Sequence, residues 1–314
     1  MTKTIQVYQE ILPVQVLASG DTVLDRLLAD KRSINTKQAY LKDLAMFSTL
    51  LNLSLAEFLR LSKEEALEVG FLFKAKLIEA GLSEATVNRR LSSLKALAKM
   101  GKLLGVCNWD LKEVEGEKIQ SYRDTAGVSL ETFKQVLNSV KRETVKGIRD
   151  YALLKLLWEA GLRRGEVVKL TWADLDIGGK LSILGKGRGT QAETISITTS
   201  LLEALLAWKK VSPNKEGAIF VSLDRVSFGH ALTGDGLYKL IRKYFKSVDA
   251  EKIMSPHRIR HSVITELLEA SNGNVRTVQK FSRHKSVNTL LIYDDNRTNG
   301  QGEMAILASQ LLGG

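Results

Sequence analysis

Six side chains in the second half of the sequence have the chemistry to act on a phosphodiester: Arg163, Lys186, His257, Arg260, His284 and Tyr293. His257 and Arg260 stand in PHRIRH, one helical turn apart, so a helix there puts both on one face. His284 follows in FSRHKS, on what reads as the next helix, and Tyr293 comes soon after in NTLLIYDDNR. A free tyrosine has a pKa near ~10 and is a poor nucleophile at neutral pH until positive charge surrounds it. Arginines can bind non-bridging phosphate oxygens through forked hydrogen bonds and offset the charge of a pentavalent transition state. Histidines titrate near the working pH and can move protons. Such a set could attack a phosphodiester without a metal. Taken singly, each residue also has a plainer reading: Tyr293 as a core aromatic, Arg163 and Arg164 as an exposed pair.

The elements that must position these groups follow from periodicity. Residues 1–20 form a weakly patterned arm. Helices are expected at about 22–30 and 35–51, where Tyr40, Leu44, Phe47 and Leu51 make one apolar stripe and Asn35-Thr36 reads as a start signal. Further helices are expected from Ser62 to Ala80 and from Ser83 to about Leu104. The last carries Arg89, Arg90, Lys95 and Lys99, either a solvated basic face or one laid against DNA phosphates. Between Asp110 and Ala126 the periodicity lapses into a charged stretch of linker length.

A second domain then opens with helices at 129–140 and 145–159, the latter running into GLRRGE with Arg163 at a helix start. KLSILG (180–185) and ETISIT (193–198) alternate as half-buried strands do, joined by the Gly-rich turn KGRGTQA that carries Lys186 and Arg188. This turn lacks the spacing of a P-loop. Helices at about 199–210 and 234–247 follow, the second with Lys239, Arg242 and Lys243, and AIFVSL (218–223) is a short strand or a loop. Pro256 suits the first position of the helix bearing His257.

The 314 residues allow two domains, and the formal net charge of +11 with a pI of about 9.5 favours a polyanionic partner, nucleic acid first. One cysteine, Cys107, excludes an internal disulfide and suits a reducing compartment. HRIRH lacks the Glu of HExxH, and the histidines and lone cysteine make no ligand set, so no metal and no cofactor are expected; His261 and His230 read as structural. No apolar run approaches the length of a membrane span, and a cytoplasmic, nucleoid-associated protein is expected.

In order and spacing the six residues resemble the tyrosine recombinases, the family of phage integrases and Xer-type recombinases. GLRRGE resembles the first arginine box, LGKGRGTQAETISI the lysine hairpin, PHRIRHS the HxxR box, and SRHKSVNTLLIY the box that ends in the nucleophile. The likeness is strong over about 129–297 and extends to NTKQAYLKDLAMF and LSEATVNRRLSSLK, which look like the family's core-binding domain. Two departures stand out. Ser282-Arg283 replaces the usual Leu-Gly before the histidine, adding a charge beside the site, and the hairpin has Arg188-Gly189 in place of a longer basic run.

The resemblance implies a mainly α fold with a small antiparallel sheet. Its parts would be an arm at 1–15, an all-α core-binding clamp at 16–110, a linker at 111–126 and an α+β catalytic domain at 127–314. It implies that Tyr293 forms a 3′-phosphotyrosyl intermediate, that Lys186 protonates the departing 5′ oxygen, and that neither ATP nor metal is needed. The implied partners are double-stranded DNA with an inverted-repeat core site and further copies of the chain. These would form a tetramer through the C-terminal segment 302–314, the alternative being that it packs back on its own domain; Met304, Leu307, Ala308 and Leu311 make an apolar stripe there. DNA contacts are expected from Arg89, Arg90, Lys95, Lys99, Arg188, Lys239, Arg242 and Lys243. A type IB topoisomerase and a non-catalytic DNA-binding relative are the alternatives.

Overall fold

A computed structural model describes residues 22–118, 127–185, 191–250, 252–295 and 300–311. The contacts divide the chain into two compact units after residue 120. The first is wholly helical: α1 (Thr22–Ala29), α2 (Ile34–Leu51), α3 (Leu55–Arg60), α4 (Lys63–Glu79) and α5 (Glu84–Leu103). Ser33, rather than Asn35-Thr36, starts α2, because its hydroxyl accepts from the Thr36 amide. Ser54 with Glu57 and Ser62 with Glu65 form reciprocal capping boxes that set the starts of α3 and α4. The core gathers Leu44 and Phe47 of the expected stripe with Phe58, Phe73 and Trp109, whose rings meet edge to face.

The expected linker at 111–126 does not begin where the periodicity lapses. Leu111 and Val114 are buried in this same core, and the Asn88 side chain pairs with the Glu117 backbone in both directions. Two apolar residues were enough to anchor a charged segment, so 111–118 belongs to the helical unit.

The second unit is built around α7 (Val145–Glu159), whose Ala152, Leu153, Leu154, Leu156 and Leu157 are all buried. Helix α6 (Leu130–Asn138) precedes it and the short α8 (Arg164–Val167) follows. Strands β1 (Leu175–Asp176), β2 (Lys180–Leu184) and β3 (Ala192–Ser196) form an antiparallel sheet in that order. Leu181 pairs with Ile195 and Leu184 with Ala192; Leu181 and Ile183 turn into the core. Helices α9 (Thr199–Val211), α10 (Gly234–Lys246), α11 (Pro256–Ala270), α12 (Val275–Ser282), α13 (Asn288–Asp295) and α14 (Gly300–Leu311) complete it. Residues 218–223 make only isolated bridges, Thr171 with Ala218 and Val221 with Ala231. Close approach at Gly127 lets the Val128 amide reach Ser262 Oγ on α11 at 2.9 Å; a Cβ there would lie 1.8 Å from that oxygen. A separate small cluster of Ile264, Leu268, Val278, Leu290 and Tyr293 joins α11, α12 and α13. Among the described residues no helix is long and apolar enough to cross a membrane.

Candidate active site

The site is assembled around Arg260. Helix α11 starts at Pro256 with Ser255 accepting from the Arg258 amide, and four residues in, Arg260 turns to the interior with 1% exposure. Its Nη1 donates to the Gly161 carbonyl and its Nη2 to the Ser282 carbonyl, while Nη2 lies 3.3 Å from His284 Nε2. One guanidinium therefore ties the end of α7 to the end of α12. Burial, and then the Arg163 and Arg283 charges, bring its pKa down to about 10, which leaves it charged at neutral pH. Gly161 is required twice over. Its φ is +54°, and a Cβ would stand 2.9 Å from Phe281 Cε1.

Arg163 occupies the N-cap of α8, where its backbone N–H donates to Glu166 Oε2 at 2.9 Å and its Nη1 to Glu166 Oε1 at 2.9 Å. The same carboxylate accepts from Arg283 Nη2 at 2.7 Å, so two guanidiniums share one buried Glu. Glu166 lies in the quoted GLRRGE box, three residues after Arg163, a spacing that suits a first-turn carboxylate on its own cap. On the sequence alone Glu166 reads only as one of the residues opening that helix. Arg283 read as an added charge beside the site; it is in fact buried, with φ 56° and ψ 35°.

Two histidine readings change. His284 is not on a helix: α12 ends at Ser282, Arg283 turns left-handed, and His284 sits in the connection to α13. His261, expected to be structural, belongs to the site, with its Nε2 2.8 Å from His257 Nε2 and its ring centroid 5.0 Å from that of Tyr293. The i, i+4 spacing in HRIRH was the signal, since both histidines had to share the Arg260 end of the helix. Burial first, then the His257 and Arg260 charges, hold His261 down to about 4. Burial first, then Arg260 and Arg163, hold His284 down to about 4. Arginine can only donate, so His284 Nε2 is the acceptor and its proton is on Nδ1, which is buried without a hydrogen-bond partner among the described residues. His230, by contrast, is exposed and serves through its carbonyl, which accepts from the Ser222 amide.

Tyr293 is 4% exposed on α13, one wall of the small apolar cluster. Its ring centroid lies 6.4 Å from that of His284, and it is among the groups that act electrostatically on Arg260. The structure thus brings Arg163, His257, Arg260, His284 and Tyr293 together. Lys186 and Arg188 lie outside the described residues. Gly185, the residue just before Lys186, lines a cleft of about 270 Å³ shared with Arg163, Glu193, Arg283 and Lys285.

Of the expected DNA contacts, Arg89 and Arg90 both turn toward the buried carboxylate of Asp43. Arg89 pairs with it and stays half exposed, whereas Arg90 is drawn largely out of solvent. Lys95 is half-buried and Lys99 exposed. Lys239, Arg242 and Lys243 are exposed on α10, where Lys246 and Lys252 extend the same basic face.

Residues 129–299 match the phage integrase family and residues 24–101 the phage integrase N-terminal SAM-like domain. The chain is 42% identical to a tyrosine recombinase of Synechococcus elongatus over 100% of both sequences. It is 31% identical to tyrosine recombinase XerD of Listeria innocua over 87% of this chain and 92% of that one. In fold it is similar to the XerH site-specific recombinase, solved bound to its palindromic difH substrate after cleavage, with a TM-score of 0.64 and 21% identity over 87% of this chain and 80% of that one. The chain belongs to the phage integrase family, and within it to the tyrosine recombinases.

Proposed function

We propose that this protein is a site-specific DNA recombinase in which Tyr293 is the nucleophile, and Arg163, Lys186, His257, Arg260 and His284 serve the phosphoryl transfer. The observation that carries this reading is the placement of Tyr293. It is buried beside two imidazoles held neutral, near an arginine whose fork is already fixed by two backbone carbonyls. Positive charge is therefore preorganised before substrate arrives, the condition under which electrostatic stabilisation is strongest.

The Tyr293 oxygen attacks phosphorus, and its proton passes to the His257–His261 pair, whose His261 ring packs against the Tyr293 ring. The bond from phosphorus to the 5′ oxygen breaks, and Lys186 supplies the proton to the leaving hydroxyl. Arg163 and Arg260 hold the non-bridging oxygens. When a phosphate oxygen takes the Arg260 N–H that His284 now receives, His284 Nε2 is released beside an anion. Its pKa rises, and it becomes a donor to that oxygen. The product is a 3′-phosphotyrosine with a free 5′-hydroxyl. Attack by the 5′-hydroxyl of a partner strand reverses every step, so the ester conserves the bond energy.

Double-stranded DNA with an inverted-repeat core site is the substrate. The segment 16–110, lengthened to 118 by the packing of Leu111 and Val114, acts as a clamp and 127–314 as the catalytic domain. Lys99 and the α10 face of Lys239, Arg242 and Lys243 contact phosphates, consistent with a net charge of +11. Acting on DNA, the protein would work in the cytoplasm, at the nucleoid. Helix α14, with Ile306 63% and Leu311 81% exposed, is the piece that docks on a neighbouring protomer in a tetramer on two sites.

The test uses a nicked duplex carrying a site first enriched from random duplexes by binding to the full-length protein. The parent should form a covalent protein–DNA band, and Tyr293→Phe should bind equally and form none. An undiminished band from the Phe variant would remove Tyr293 from the role.

A further inference from the structure

We propose that Arg283 is a positioning residue: a strap that fixes segment 282–284 to α8 and β3 and so sets Arg163, Arg260 and His284 in one geometry. This rests on the recombinase reading of the same site. Arg283 ends α12 in the left-handed region, φ 56°, which side-chain-bearing residues seldom adopt. Such conformations persist where the surroundings over-determine them. Here the surroundings are two carboxylates from other elements. Nη2 meets Glu166 Oε2 of α8 at 2.7 Å, and Nε lies 3.9 Å from Glu193 Oε2 of β3, with the Arg283 side chain 3% exposed. The segment that resembles the family's final box has arginine at a place usually held by glycine, so the turn is kept while a side chain is added.

The residues on either side show what the strap holds. Ser282 offers the carbonyl that receives Arg260 Nη2, and His284 is the imidazole 3.3 Å from that same nitrogen. Anchoring Arg283 therefore fixes both partners of the Arg260 Nη2 through the backbone. On its other side Glu166 must serve the Arg163 backbone N–H and guanidinium together. A second guanidinium on that carboxylate balances the pull on Arg163, leaving its fork able to turn to a phosphate. Glu193 adds β3, the strand that returns from the hairpin bearing Lys186. A single side chain thus joins the Arg163 turn and the returning strand of the hairpin to the backbone that holds Arg260.

The test compares Arg283→Gly, Arg283→Lys and parent on the nicked duplex described above. Glycine suits φ 56° without strain, so the backbone turn survives and only the strap is lost. Arg283→Gly should bind DNA with unchanged affinity while single-turnover formation of the covalent band slows by about 10²-fold. Arg283→Lys, which keeps the charge without the fork, should recover part of that loss. Combined with Glu166→Gln the losses should be non-additive, because the two residues act as one unit. Cleavage by Arg283→Gly at the parental rate would overturn the proposal. So would an equal fall in binding and cleavage, or additive losses in the double variant. If Arg283→Gly does not fold, Arg283→Lys decides, a parental rate again overturning the strap. A parent that forms no covalent band would instead sink the recombinase reading itself.

Discussion

The Nε2 atoms of His257 and His261 lie 2.8 Å apart, one turn apart on α11. Two such nitrogens at this separation share one proton in a hydrogen bond, and burial holds His261 in its neutral form, its pKa down to about 4. His261 also packs on the Tyr293 ring, so one side chain touches both the proposed nucleophile and the proposed base. His261→Ala should leave DNA affinity within about twofold and slow cleavage by up to about 10²-fold, the cost of a misplaced reacting group. His261→Asn, which can still hydrogen-bond to His257, should lose less. Equal rates for the Ala and Asn variants in single-turnover cleavage would show that the contact does not orient His257.

Arg163 and Arg260 are expected to behave differently despite a shared role. Each substitution to Ala should slow cleavage by about 10²–10³-fold, the worth of one oxyanion donor. Only Arg260→Ala should also unsettle the fold. It strips the Gly161 and Ser282 carbonyls of a buried donor, costing about 1–3 kcal/mol. Arg163 is partly exposed, and its loss leaves Glu166 still paired with Arg283. Urea denaturation of both variants beside cleavage assays separates the two effects.

Stability should fall on acidification through a defined window. His261 and His284 are both held down to about 4, below the ordinary histidine value of about 6.5. The folded state therefore favours their neutral forms, and the unfolded chain takes up protons first as the pH drops. Their contribution is complete above about pH 6.5 and is lost progressively as the pH falls toward 4. For these part-buried groups the loss should be on the order of 2 kcal/mol in all, after allowance for solvent screening. Melting temperature measured from pH 7.5 to 4.5 should decline more steeply for the parent than for a His261→Asn, His284→Asn double variant.

Removing residues from 300 onward should separate assembly from binding. Ile306 and Leu311 expose apolar surface on a twelve-residue helix, too short to persist alone in water. The truncated protein should still bind one site but lose the higher-order complex on paired sites, and strand exchange with it. Native gels run beside a recombination assay check this. A truncated protein that pairs sites and recombines normally would mean that α14 is not the bridge.

Local pattern was enough to read most of the elements. Period and caps are properties of neighbouring residues, so α2, α4, α5, α7, the β2–β3 hairpin and the Pro256 start of α11 were legible to within a residue or two. Of the six residues singled out by type and order, the five that are described come together. Tertiary structure decided the pairings. Asp43 captures Arg89 and Arg90 from a helix that read as a free basic face, and Leu111 and Val114 pull a charged stretch into a core. His261 became part of the site, and Arg283 became a strap, because Glu166, Glu193 and Tyr293 reach them from distant positions in the chain. Burial and the nearness of charges depend on how elements pack, and that is where the neutral histidines and the shared carboxylate arise. Sequence supplied the groups; folding decided which of them are held, and by whom.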